Sequence, residues 1–286
     1  NTTRDMVTGW VRNTKGERRY FQPFSGIMCK GLKKIRGKWY YFDPDRGVAC
    51  SGWITDEAGN RRYFDPKTFV MAEGEQTIDG RTYTFDEKGV GTLKQDKWNQ
   101  LLETYENDSS VNQLIFVQYQ GGSNAQVILY EKQNGSWKED FSCQGYVGGN
   151  GIDKVKEGDR KTPTGVFGFT KAFGIKDNPG AKLPYTKLNP YLYWCGDEQW
   201  YNTLVDVREI HHECSGEHLI SYVPHYNYVL AIDYNPECIF RKGSAIFLHC
   251  TGSNPYTGGC VAVSESNMIR IMQTVDKGAK ICIYPQ

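Results

Sequence analysis

The residue types best suited to chemistry lie in the stretch Ala245 to Val263, AIFLHCTGSNPYTGGCVAV. It opens on the apolar run Ala245-Ile246-Phe247-Leu248, which reads as a buried strand delivering His249 at its end. Thr251-Gly252-Ser253-Asn254-Pro255 is rich in turn residues and folds the chain back on itself. Gly258-Gly259 allows a ligand to approach the backbone closely, and Cys260 follows directly. An imidazole at a strand end and a thiol on the returning segment form a base and nucleophile pair, so cysteine catalysis is the chemistry expected. Cys250 adjoins His249, but successive side chains of a strand point to opposite faces, which favours Cys260 as the partner unless the strand has already ended. A histidinium beside that thiol would lower its pKa from about 8.5.

The strand-end His249, the loop and Thr257-Gly258-Gly259-Cys260 resemble the active-site motif of the L,D-transpeptidase (YkuD-type) catalytic domain. Lys161-Thr162-Pro163-Thr164-Gly165-Val166-Phe167 resembles the TPxGxF segment of the same family, in the right order along the chain. Gly258 and Ala262 stand where most members carry a second histidine and an arginine, which brings the chain closer to a divergent branch with IFLH, a loop and then GCVxxS.

The resemblance covers about 112–286. It implies a thiolate of Cys260 attacking a peptidoglycan tetrapeptide stem, His249 as general base, and backbone amides around Gly258, Gly259 and Cys260 as oxyanion donors. Thr257, Tyr201 and Asn202 are expected to line the substrate site, although Tyr201 could equally serve only to pack the segment 168–224. An amine acceptor would give a cross-link. Water would give an L,D-carboxypeptidase, an amidase using the same Cys/His pair is a further alternative, and a fold that has lost its chemistry would leave a wall-binding protein. No cofactor is implied, and no metal: His211-His212-Glu213-Cys214 is dense in ligand types but lacks a second ligand pair and reads as a polar loop.

The elements that must hold these residues are mostly strands. Leu114 to Val117, Ala125 to Tyr130, Trp137 to Cys143 and Tyr228 to Ile232 have strand character. Ser264 is a good N-cap for a helix with Met268, Ile271, Met272 and Val275 at helical spacing, and Ala279 to Tyr284 reads as a closing strand. The segment 168–224 reads as a long irregular insertion forming a groove wall.

Upstream, the chain repeats itself. KGERRYFQ, RGKWYYFD, GNRRYFD and DGRTYTFD align on Phe21, Phe42, Phe64 and Phe85, and each unit predicts a β-hairpin that must stack on its neighbours. Gly9-Trp10, Gly52-Trp53 and Trp39-Tyr40-Tyr41-Phe42 carry a resemblance to cell-wall-binding (choline-binding-type) repeats. A choline cage needs converging aromatics; Trp39, Tyr40 and Tyr41 are the one intact triad in this reading, with Trp10 and Trp53 as further repeat aromatics. Trp98, Leu101, Leu102 and Tyr105 predict one face of a helix. The expected organisation is therefore mostly β (α+β): a repeat domain at 1–93, a connecting helix at 94–111 and a catalytic domain at 112–286.

Composition excludes several classes. Lys+Arg 34 against Asp+Glu 33 gives a formal charge of +1, without the clustered positive charge that nucleic acid demands. A mean hydropathy of −0.60 and the lack of any long apolar run exclude a helical membrane span in this chain. Nine cysteines is an odd number, so at least one thiol is unpaired within a monomer, the oligomeric state expected. The chain opens at Asn1 with no export signal in view; the resemblance places it outside the cell, on the wall, with stem peptides and wall polymer as partners.

Overall fold

The computed structural model describes residues 6–94 and 96–286. The chain divides into two compact units, Asn1–Leu101 and Leu102–Gln286, and strands make up 42% of it against 11% helix.

The first unit is a series of hairpins. β1 (Gly9–Arg12) pairs with β2 (Arg18–Phe21), β3 (Gly31–Ile35) with β4 (Lys38–Phe42) and then β5 (Ala49–Cys50). β6 (Gly52–Thr55) pairs with β7 (Arg61–Phe64), and β8 (Gly74–Ile78) with β9 (Arg81–Phe85), which also takes β10 (Gly91–Leu93). An aspartate after three of the four repeat phenylalanines makes the exit turn, Gln22 standing in its place in the first unit: the Asp43 carboxylate accepts from the Asp45 and Arg46 amides at 3.0 and 2.7 Å, and Asp65 accepts from Lys67 and Thr68 at the same distances. Phe42, Phe64 and Phe85 are buried, as a stacked series requires.

The aromatic triads differ from expectation. Trp10 lies 5.3 Å from Tyr20 of its own hairpin and 5.1 Å from Tyr40 of the next, and Trp53 lies 5.3 Å from Tyr63 and 4.7 Å from Tyr83 in the equivalent arrangement. Trp39, Tyr40 and Tyr41 form no cage, because neighbours on one strand face opposite ways. Trp39 instead receives the Lys34 ammonium at 5.6 Å, and Tyr41 turns to Phe64 at 6.0 Å. The guanidinium of Arg61 already sits 4.5 Å over Trp53.

Helix α1 (Lys97–Thr104) carries Leu101 and Leu102, both buried. The second unit opens with an antiparallel meander, β11 (Gln113–Gly121), β12 (Asn124–Gln133) and β13 (Ser136–Tyr146). β14 (Gly165–Phe167), β15 (Phe169–Gly174) and β16 (Tyr185–Lys187) follow. β17 (Leu192–Cys195), β18 (Thr203–Asp206), the short helix α2 (Val207–Ile210) and β19 (Glu217–His218) come next, so the segment expected to be irregular holds a three-stranded sheet. β20 (Val229–Ile232), β21 (Phe247–Cys250), β22 (Val261–Val263), α3 (Glu265–Thr274) and β23 (Lys280–Pro285) complete the chain.

The large sheet has ten strands in the order β14-β23-β11-β12-β13-β22-β21-β20-β15-β16. Its strands alternate between two buried clusters. Leu248, Cys250, Val261 and Val263 pack in the cluster that contains Met268, Ile271 and Met272 of α3. Phe247 and Cys260 pack in the other, with Leu192, Trp194 and Leu219 from the 168–224 segment and Tyr226 just after it. Ser264 caps α3 by accepting from the Asn267 amide at 3.4 Å.

Within the second unit the Trp137 indole, 2% exposed, donates to the Leu102 carbonyl at 2.9 Å, and the Lys132 ammonium donates to the carbonyls of Tyr105 and Asp108, both at 2.8 Å. Cutting the chain after α1 leaves that indole N–H without its acceptor. A fragment starting at Asn107 should therefore fold but be less stable than one starting at Lys97 by about 1–3 kcal/mol. Urea unfolding of the two fragments checks this, and equal midpoints would show that the helix adds nothing to the second unit.

Candidate active site

Position in the sheet brings the site together. β21 and β22 run parallel, with Leu248 opposite Val261 and His249 opposite Ala262. Strand character extends through Cys250, so the alternation holds across both residues: Cys250 is fully buried on the α3 side, its thiol directed at the Tyr228 carbonyl at 3.7 Å. His249 faces the other way, as does Cys260 one residue before β22. Both line one cavity of about 400 Å³.

Local bonding fixes each group. His249 Nδ1 lies 2.8 Å from the Cys250 carbonyl, an acceptor only, so Nδ1 carries the proton and Nε2 keeps its lone pair. The Cys260 thiol donates to the Ala245 carbonyl at 3.2 Å and accepts from the Phe247 amide at 3.3 Å. The Cys260 carbonyl is held by two hydroxyls, Thr257 at 2.7 Å and Thr162 at 3.0 Å. Thr162 belongs to the KTPTGVF segment and also accepts from the Gly148 amide at 2.8 Å, so that motif anchors the cysteine loop.

Gly259 has φ +145°, and a Cβ there would come within 2.9 Å of the Lys161 carbonyl, so only glycine fits. Its amide donates to the Thr257 hydroxyl at 3.1 Å, which leaves Gly258 and Cys260 as the amides to consider for an oxyanion. Gly258 faces open space within the cavity lining.

Tyr201 and Asn202 are outside the cavity lining and act behind it. Tyr201 is 1% exposed; its hydroxyl donates to Glu157 and accepts from the Gly243 amide at 3.0 Å. The Asn202 side-chain oxygen accepts from the Ala245 amide at 3.2 Å and from the Trp194 indole at 3.0 Å. Because the Ala245 carbonyl accepts from the Cys260 thiol, Asn202 holds the residue that contacts that thiol. Its φ of +59° suits asparagine, which tolerates the left-handed region.

Sequence reasoning missed the rest of the lining. Lys154 and Glu157, Glu217, and the adjacent His225 and Tyr226 reach the cavity from three stretches of chain. The ring of His225 lies 5.9 Å from that of His249, and the ring of Tyr226 lies 5.6 Å from it. The Tyr226 hydroxyl donates to Glu217, and Lys154 pairs with Asp159 at 2.9 Å in a nearly dry contact. No periodicity marks these residues in the sequence.

Burial sets the charge state. It pushes the Cys260 thiol up to about 12, with Glu217 adding to the rise against the Phe247 amide and Lys154. It pushes His249 down to about 4, against its bond to the Cys250 carbonyl and together with repulsion from His225. Burial thus favours a neutral thiol and a neutral imidazole over the thiolate and imidazolium expected from the sequence, because taking either charge out of water is costly.

Comparison with known proteins agrees with both halves of the chain. Residues 112–283, more than half of it, match the family model of the L,D-transpeptidase catalytic domain, YkuD. Residues 29–73 match that of the choline-binding repeat. No curated protein matches. Among solved structures the chain is similar to CbpJ from Streptococcus pneumoniae TIGR4, at 22% identity over 46% of this chain and 36% of that one, with TM-score 0.28. It is similar to choline binding protein F from Streptococcus pneumoniae, in the presence of a peptidoglycan analogue, at 24% identity over 46% and 34%, TM-score 0.28. It is similar to Bd1075 of Bdellovibrio bacteriovorus at 14% identity over 61% and 48%, TM-score 0.35. The chain spans 36% and 34% of the two pneumococcal proteins' lengths.

Glu217 yields a prediction about pH. Burial raises its carboxyl to about 7 from 4.5, the Tyr226 hydrogen bond opposes this, and Glu157 adds to it. The folded state then holds a proton that the unfolded chain releases near 4.5, so the stabilisation is full below that pH and is lost as pH rises to about 7. Between those limits the protein should lose about 3 kcal/mol relative to Glu217→Gln. Denaturant titrations across that window would show it; parallel pH profiles for the two proteins would refute it.

Proposed function

The chain belongs to the L,D-transpeptidase catalytic domain family, and we propose that it is a cysteine acyltransferase that cross-links peptidoglycan. The observation that carries this reading is the shared cavity of His249 and Cys260, with Nε2 of the histidine left as the basic nitrogen. In the forward step Nε2 takes the Cys260 proton as sulfur attacks the carbonyl between the third residue of a tetrapeptide stem and its terminal D-Ala. The C–N bond breaks, the histidine returns its proton to the leaving D-Ala amine, and a thioester remains on Cys260. An amine of a second stem then attacks the thioester and regenerates the thiol.

Starting from a neutral pair suits this sequence. The proton moves only as the thiol attacks, and the charge that develops on the carbonyl oxygen is met by the amides of Gly258 and Cys260 in a site of low dielectric. Thr257 and Thr162 hold the Cys260 carbonyl, which fixes the orientation of the adjoining peptide. Across the cavity Glu157 and Glu217 form an acidic wall. Burial, with repulsion from Glu157 adding to it, raises the Glu217 carboxyl to about 7, and a substrate ammonium arriving beside it would favour its ionisation. Such a wall fits a stem whose third residue bears a free amine, or the acceptor amine itself.

For the repeats we propose attachment to wall polymer outside the cell. The triads Trp10-Tyr20-Tyr40 and Trp53-Tyr63-Tyr83 have the aromatic faces that a quaternary ammonium uses, but Arg61 covers one of them. Choline should consequently bind weakly, and more tightly to the Arg61→Ala protein; calorimetry with choline chloride in which the two bind alike would contradict this.

The enzymatic reading is tested by incubating purified muropeptides with the protein and resolving the products by mass spectrometry. A cross-linked dimer is expected, together with an acyl adduct mapped to Cys260. Cys260→Ala should abolish both, His249→Ala should slow acylation by about 100-fold or more, and Cys250→Ala should leave it intact. Loss of D-Ala without dimer would make the protein a carboxypeptidase, and unchanged muropeptides would make it a wall-binding protein without chemistry.

A further inference from the structure

Away from the catalytic cavity, four metal-ligand side chains converge on one point. Cys195, Asp197, His212 and Cys214 each direct a ligand atom inward, and these atoms all lie within 4.8 Å of one another. Cys195 Sγ is 2.7 Å from Cys214 Sγ and 3.8 Å from Asp197 Oδ2, and His212 Nε2 is 2.9 Å from the same oxygen. We propose that these residues bind a structural zinc ion. The His-x-Cys pair lacked a second ligand pair when read along the sequence; the Cys-x-Asp pair at the end of β17 supplies it in space.

The backbone is built for this meeting. A Cβ on Gly216 would fall 1.9 Å from the Trp194 carbonyl and 2.5 Å from the Gly196 amide, so glycine alone lets the segment after Cys214 cross the segment after Trp194. His211, at φ +50°, ends α2 in the left-handed conformation and turns the chain towards His212 and Cys214. Asp197 is oriented by Ser215, whose amide donates to Oδ2 at 2.9 Å and whose hydroxyl donates to Oδ1, the kind of supporting contact that ligating carboxylates receive.

The donor set points to zinc. Two thiolates, one imidazole and one carboxylate make a complete tetrahedral shell with no open position, which marks a structural site and not a catalytic one. With ligand bonds of about 2.0–2.3 Å, a tetrahedral ion sets its ligand atoms roughly 3.3–3.8 Å apart, so the sulfurs would separate by about 1 Å and the more distant pairs would draw in by about 1 Å or less. Each thiol releases its proton on binding. A disulfide between Cys195 and Cys214 would account for the two sulfurs but would give Asp197 and His212 no reason to converge on them. By tying β17 to the loop before β19, the ion would fix the pairing of Trp194 with Glu217, and Glu217 is part of the catalytic cavity wall.

The test uses the full chain without a histidine tag, reduced, loaded with zinc and dialysed. Elemental analysis should give one zinc per chain, and cobalt in its place should show tetrahedral bands with a thiolate charge-transfer band. Cys195→Ser and Cys214→Ser should each lose the stoichiometric metal, while Cys238→Ser keeps it. Should a serine variant fail to fold, the cobalt spectrum of the unaltered chain and the metal content of Asp197→Asn decide the matter. Absence of bound metal, cobalt bands without thiolate character, metal retained in the cysteine variants, or a Cys195–Cys214 disulfide in the zinc-treated protein would each overturn the proposal.

Discussion

The parallel register between β21 and β22 is the constraint on which the site depends. Pairing Leu248 with Val261 places Cys260 beside Phe247 and leaves His249 two residues further along the same face. A slip of one residue would turn the cysteine into the core beside α3 and the histidine away from it. Everything that fixes the loop between the strands serves this register: Thr162 and Thr257 on the Cys260 carbonyl, the Gly148 and Thr257 bridge, and the steric demand for glycine at 259. Cys250 shows the converse. It adjoins the histidine in sequence, yet the pleat directs it into the opposite core, where its thiol is also pushed up to about 12 by burial.

The same pleat explains what could be read from the sequence and what could not. Strand runs, the Ser264 cap, the helical spacing of Met268, Ile271 and Met272, and one hairpin per aromatic repeat are local patterns, and the local chain contains all the information needed. Cage geometry is different. Trp39-Tyr40-Tyr41 is conspicuous as a string of letters, but consecutive strand residues diverge, and the triads are built from residues on adjacent hairpins. The remaining cavity groups are harder still: Glu157, Glu217, Tyr226 and His225 are ordinary residues in turn-rich segments until the three-stranded sheet of β17, β18 and β19 packs over the His249 face. Tyr201 and Asn202 were legible as important types, while their duty to Glu157 and Ala245 follows only from contacts across some forty residues of chain.

Departures from the commoner family pattern have a physical counterpart. Where most members are expected to carry a histidine and an arginine on the cysteine segment, Gly258 opens onto the cavity and Ala262 is buried in register with His249. The polar groups around the pair come instead from the segment packed over the sheet: His225 beside the His249 ring, and Tyr226 and Glu217 joined by a hydrogen bond. These polar groups of the cavity therefore come from the covering segment and not from the strand that follows Cys260.

That placement determines how charge is handled. At rest burial favours the neutral thiol and the neutral imidazole, it raises the Glu217 carboxyl to about 7, and Lys154 is bound to Asp159. Glu157 is bonded to the Tyr201 hydroxyl. Neutral groups cost less to desolvate than ions, so closing a substrate over the thiol and the imidazole need not strip water from a thiolate or an imidazolium. In the acyl transfer we propose, charge separation appears only when sulfur, imidazole and carbonyl are in contact, and the buried dipoles around Cys260 act on it strongly because the intervening medium is protein rather than water.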